Sequence, residues 1–138
     1  MFRVAFRNIL IMLGVALPIL LVSGPLVGWM LANARDGGTP GSPLDGLPAS
    51  FIFWYPIWAL PALGIGGTHQ LVLAALPRDW PTRTTRLVIL GTALTLAGLL
   101  AGYVASASTH ERGWALALAL LPAALAYGLL AQPLRSHR

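Results

Sequence analysis

The sequence predicts an all-α fold: an integral membrane four-helix bundle with both termini on the cytoplasmic side. Three observations carry this expectation. Four long apolar runs fill the chain, charged residues make up only 9% of it, and the arginines between the runs alternate between a rich side and a poor side. A soluble domain carries about a quarter charged residues. A chain of 138 residues that is 57% hydrophobic cannot keep that much apolar surface from water. Four spans of about 20 residues each use most of the length, so residues 1–138 are expected to form a single transmembrane domain.

The first run covers residues 8–32. Arg3 and Arg7 precede it as in a signal peptide, but a signal peptide's apolar core is only about 7–15 residues long, and this run is far longer. It therefore reads as a span, kinked at Pro18 and Pro25. Residues 33–50, rich in glycine and proline without helical or strand period, read as an extracytoplasmic loop. The second run, 51–76, opens on Phe51, Phe53, Trp54, Tyr55 and Trp58 and carries Pro56 and Pro61. Gly64, Gly66 and Gly67 follow, then Thr68, His69 and Gln70, and this combination predicts a broken helix. Residues 77–86 form a basic cytoplasmic loop. The third run, 87–106, has no proline. The fourth, 114–131, has Pro122 near its middle, and 132–138 is a short basic cytoplasmic tail.

Orientation follows from the arginines. Arg3, Arg7, Arg78, Arg83, Arg86, Arg135 and Arg138 make seven on one side, whereas Arg35 and Arg112 make two on the other. The positive-inside rule places the seven in the cytoplasm. Aromatic residues fit that frame, with Trp29, Trp54, Tyr103 and Trp114 near the outer interface and Trp80 and Tyr127 near the inner one. The net charge of +5 lies beside apolar runs and forms no basic helix or stripe, so it points to anionic headgroups and not to nucleic acid. Lysine is absent and arginine takes its place throughout, which we read as the sign of a GC-rich genome. The expected location is the bacterial cytoplasmic membrane.

The second span is the one with candidate chemistry. Non-helical backbone at membrane depth survives only within protein or beside a water-filled cavity, and transporters build sites from such breaks. Thr68, His69 and Gln70 are therefore the candidate polar site. His69 is the weak candidate for binding a haem or a quinone headgroup, since an ionisable residue within a span is a functional hypothesis by default. The plainer reading is structural. His69 lies about seven residues from the inner end of the span, roughly 10 Å deep, where an imidazole can bond a neighbouring helix. Gly24 and Gly28, Gly64, Gly66 and Gly67, and Gly98 and Gly102 are candidate helix-packing positions, within the bundle or between subunits. Arg78, Arg83 and Arg86 either set topology or dock a partner or anionic lipid.

Several chemistries lack their residues. With no cysteine, disulfides, thiolate catalysis and cysteine metal sites are excluded. Asp36, Asp45, Asp79 and Glu111 all lie in expected loops, so no span holds the buried carboxylate that coupled carriers use. No catalytic or metal constellation is present, no cofactor is expected, and activity as an enzyme is not the favoured reading. Three functional classes remain. The first is a small non-catalytic subunit that packs within a larger membrane complex. The second is a self-assembling channel, pore or carrier lined by the broken second span. The third is a haem- or quinone-binding membrane anchor of a redox enzyme, using His69. The expected partners are membrane lipids and other transmembrane subunits, or further copies of this chain.

Overall fold

The structure, a computed structural model, describes residues 2–37, 41–42, 44–45 and 47–133. Every regular element among them is helical: α1 (Phe2–Ile11), a π-helical turn (Met12–Ala16), α2 (Leu17–Asp36), α3 (Leu47–Ala75), α4 (Thr82–Ala107) and α5 (His110–Leu130). Four helical segments are long and apolar enough to cross a membrane: Phe2–Arg35, Phe51–Ala75, Thr82–Ala107 and His110–Leu130. The chain is thus an all-helical protein built to the dimensions of a bilayer. The tail at 134–138, with Arg135 and Arg138, lies outside the described residues.

All four helical segments exceed or shift the apolar runs that announced them. The first begins at Phe2 and ends at Asp36, because polar residues at a helix end keep their backbone paired while their side chains reach water. It stops at Gly37, whose left-handed φ of 69° suits a helix C-cap. Thr82–Arg86, expected as loop, form the first turns of α4, which begin after the extended backbone of Pro81. Only Ser108 and Thr109 separate α4 from α5, and Thr109 caps α5 by accepting the Arg112 N–H.

The expected break in the second span is absent. α3 runs uninterrupted through Pro56, Pro61, Gly64, Gly66 and Gly67. Each proline removes one hydrogen bond, whereas leaving the helix would unpair several backbone groups in a medium that offers no replacement. The irregularity sits in the first span instead. The Leu17 N–H bonds Met12 O, one residue further back than in an α-helix, and Pro18 follows with no N–H at all. Leu13 O is left without a donor from either residue. The Tyr55 hydroxyl on α3 supplies one at 2.8 Å.

α4 and α5 form the most extensive helix pair, and two glycines on α5 permit it. A Cβ at Gly113 would stand 2.3 Å from Ala105 Cβ and 2.9 Å from Ala105 Cα. A Cβ at Gly128 would stand 2.7 Å from Leu90 Cδ1 and 3.1 Å from Leu90 Cα. Close backbone approach of this kind is how membrane helices gain contact without a hydrophobic driving force. At this junction's far end, Arg35 on α2 pairs with Glu111 on α5. Both side chains are about half exposed, so the pair adds little stability.

Candidate functional site

A polar cluster ties all four spans together near the arginine-rich end of the bundle. Asn8 on α1, His69 and Gln70 on α3, and Tyr127 on α5 are all buried, Asn8 and His69 completely. Asn8 Nδ2 donates to Gln132 O at 2.9 Å, and Asn8 Oδ1 accepts the Gln132 N–H at 3.0 Å. Asn8 Nδ2 also donates to Gln70 Oε1 at 3.2 Å. Gln70 Nε2 donates to the Tyr127 hydroxyl at 3.2 Å, which in turn lies 3.1 Å from His69 Nδ1. On its other edge, His69 Nε2 meets Thr92 Oγ1 at 2.9 Å and Ile89 O at 3.2 Å, both on α4.

The direction of each bond follows from the two ends. The Gln132 backbone offers one donor and one acceptor, so the Asn8 amide can sit only one way round. Its Nδ2 then faces Gln70, which must present Oε1 to it and Nε2 to Tyr127. Having accepted from Gln70, the Tyr127 hydroxyl points its own proton at His69 Nδ1. From the opposite end, Ile89 O can only accept, so His69 carries its proton on Nε2 and leaves Nδ1 bare. The Ile89 carbonyl sets this neutral tautomer, and the Tyr127 hydroxyl fits it by donating to Nδ1. Thr92 accepts from His69 and spends its own proton on Val88 O or Ile89 O within α4. Every buried polar side-chain atom of the cluster therefore has a partner. Among the described residues, the buried side-chain polar atom without a hydrogen bond is Trp29 Nε1, at the other end of α2.

The geometry divides the expected site. His69 and Gln70 point into the cluster. Thr68 does not: it is exposed and returns its hydroxyl to Gly64 O one turn back, at 2.9 Å. Tyr127, read from sequence as an interface aromatic, is 2% exposed and joins His69 to Gln70. Asn8, Thr92 and Tyr127 were the members that sequence reasoning missed. Each is an ordinary residue for its place on its helix, and nothing local announces a partner up to 124 positions away. Both nitrogens of His69 are engaged, so haem ligation or a quinone contact would require breaking a bond to Tyr127 or to α4.

The packing glycines also separate. Gly66 is buried against Met12. Positions 24, 28, 64, 67, 98 and 102 would each accept a Cβ with nothing within 4 Å, so they do not mediate tight contacts among the described residues. On α4, Gly91, Thr95, Gly98, Gly102 and Ser106 fall on one exposed face at spacings of three and four residues. Thr95 and Ser106 satisfy their hydroxyls on their own helix, at Gly91 O and Tyr103 O.

Above the cluster, an apolar cavity of about 70 Å³ lies between the spans, with Leu17, Trp58, Ile65, Leu96 and Leu120 among its walls. Its polar lining residues are His69 and Tyr127, whose polar atoms already have partners. No group of three or more metal-ligating side chains occurs among the described residues. Comparisons with protein-family models, with curated proteins and with solved structures returned no match.

Proposed function

We propose that this protein is a small non-catalytic subunit that packs within a larger complex of the bacterial cytoplasmic membrane, with both termini in the cytoplasm. The observation that carries this reading is the small-residue face of α4. Gly91, Gly98 and Gly102 are exposed, no side chain among the described residues fills the space beside them, and close helix approach is what such a face permits. The polar cluster supports the same reading, because its hydrogen bonds are consumed in holding the spans together. A path through the bundle would have to cross that cluster and then an apolar cavity, which weighs against a pore formed within one chain. The orientation rests on arginine. Arg35 is neutralised by Glu111, whereas Arg3, Arg7, Arg78, Arg83 and Arg86 share the opposite end with Asp79 as the one carboxylate among the described residues there.

Gentle solubilisation from native membranes, followed by identification of what co-purifies, tests the proposal. Foreign transmembrane subunits in fixed stoichiometry are expected, and they should be lost from a Gly98→Leu, Gly102→Leu variant that still inserts. A symmetric assembly of this chain alone around a wet axis would replace the proposal with the channel reading.

A further inference from the structure

At the arginine-rich end, a cleft of about 400 Å³ opens between α1, the start of α4 and the end of α5. Arg7 from α1 and Arg86 from α4 both line it. Neither guanidinium has a carboxylate partner among the described residues, in which the one ion pair is Arg35–Glu111. Thr82, the first residue of α4, lines the same cleft, where the unpaired N–H groups of the helix start add positive potential. Thr85 and Gln132 add polar groups to the wall, and the rest of it is apolar, including Val4, Leu129 and Leu130, of which both leucines are exposed. The cleft thus brings two cations and exposed leucines into one lining. That combination matches a phosphodiester attached to acyl chains better than a soluble anion, which has no use for the leucine wall.

We propose that this cleft binds the phosphate of an anionic phospholipid between Arg7 and Arg86, with its acyl chains lying along Val4, Leu129 and Leu130. The site adjoins the His69 cluster at Gln132, which lines the cleft while its backbone pairs with Asn8, and it uses residues outside the α4 small-residue face. It also accounts for an arginine on α1 and one on α4 lining one cleft that has no acidic residue in its wall.

The test reconstitutes the intact protein in phosphatidylcholine bilayers containing a minority of phosphatidylglycerol, then counts lipids retained on the protein by native mass spectrometry. The wild-type chain is expected to retain phosphatidylglycerol selectively. An Arg7→Gln, Arg86→Gln pair should weaken that retention by about thirtyfold, from about fivefold for each arginine at an anionic membrane surface. An Arg7→Lys, Arg86→Lys pair keeps the charges and should retain most of it, which separates recognition from any folding defect. Arg112→Gln, at the opposite end, should leave it unchanged. Equal retention by the glutamine pair, an equal loss in Arg112→Gln, or a lysine pair no better than the glutamine pair would overturn the site. Binding of glycerol phosphate in pure phosphatidylcholine without selective retention of phosphatidylglycerol would overturn the lipid as its source.

Discussion

Asn8 pairs with the backbone of Gln132 as one strand residue pairs with another, donating through Nδ2 to the carbonyl at 2.9 Å and accepting the N–H through Oδ1 at 3.0 Å. This contact joins the first helix to the residues just beyond the last, across 124 positions. It also sets the direction of every bond that follows, through Gln70 and Tyr127 to His69. Asn8→Asp is nearly isosteric and isolates that property. The aspartate would turn an acceptor toward Gln132 O and Gln70 Oε1, where asparagine offers a donor. It is expected to destabilise the bundle by about 1–3 kcal/mol, more than Asn8→Leu, which removes the polar group altogether. Reversible unfolding in mixed micelles measures both. Equal stability of Asn8→Asp and the wild type would mean that the amide's orientation is not what holds this end together.

The Tyr55–Leu13 contact makes a narrower prediction. Tyr55 serves a carbonyl left without a donor by the π-turn and Pro18 together. Tyr55→Phe should cost on the order of 1 kcal/mol. In a Pro18→Ala background, residue 18 regains an N–H, and the cost of Tyr55→Phe should shrink. A double-mutant cycle in the same unfolding assay reads the difference, and strictly additive effects would show that Pro18 does not create the need for Tyr55.

Glycines of the same type are expected to behave in opposite ways. Gly113→Ala drives a methyl group into Ala105, side chain and backbone alike, and should cost about 1–3 kcal/mol as α4 and α5 separate. Gly102→Ala meets nothing within 4 Å and should leave the isolated chain as stable, or up to about 1 kcal/mol more stable through helix propensity. Unfolding of the two variants side by side, as monomers in detergent, decides between them. A Gly102→Ala variant as unstable as Gly113→Ala would place an unrecognised contact at that face.

The number and approximate position of the helices were legible because apolar runs and arginines report the membrane directly. Helix ends were less legible, since Asn33–Asp36 and Thr82–Arg86 are polar enough to read as loop yet continue their helices. The second span misled for a physical reason: proline and glycine weaken a helix in water, but in lipid the alternative is worse. His69 and Gln70 stood out because polar residues are rare in spans. Their partners did not, because Asn8 sits beside arginines and Tyr127 near a helix end, where both residue types are ordinary. Gly113 and Gly128 escaped notice for a related reason: the eye follows glycine pairs at spacing four, whereas the closest helix approach uses two lone glycines fifteen residues apart.

His69 is a closed structural joint between α3, α4 and α5. The most direct measurement is the ¹⁵N spectrum of His69 in lipid bilayers by solid-state NMR. The hydrogen bonds to Tyr127 and Ile89 predict one neutral tautomer, protonated at Nε2 and bare at Nδ1, with no exchange to water. A proton on Nδ1, a doubly protonated ring, or magnetisation transfer from water to His69 would contradict the account and return this residue to the list of working sites.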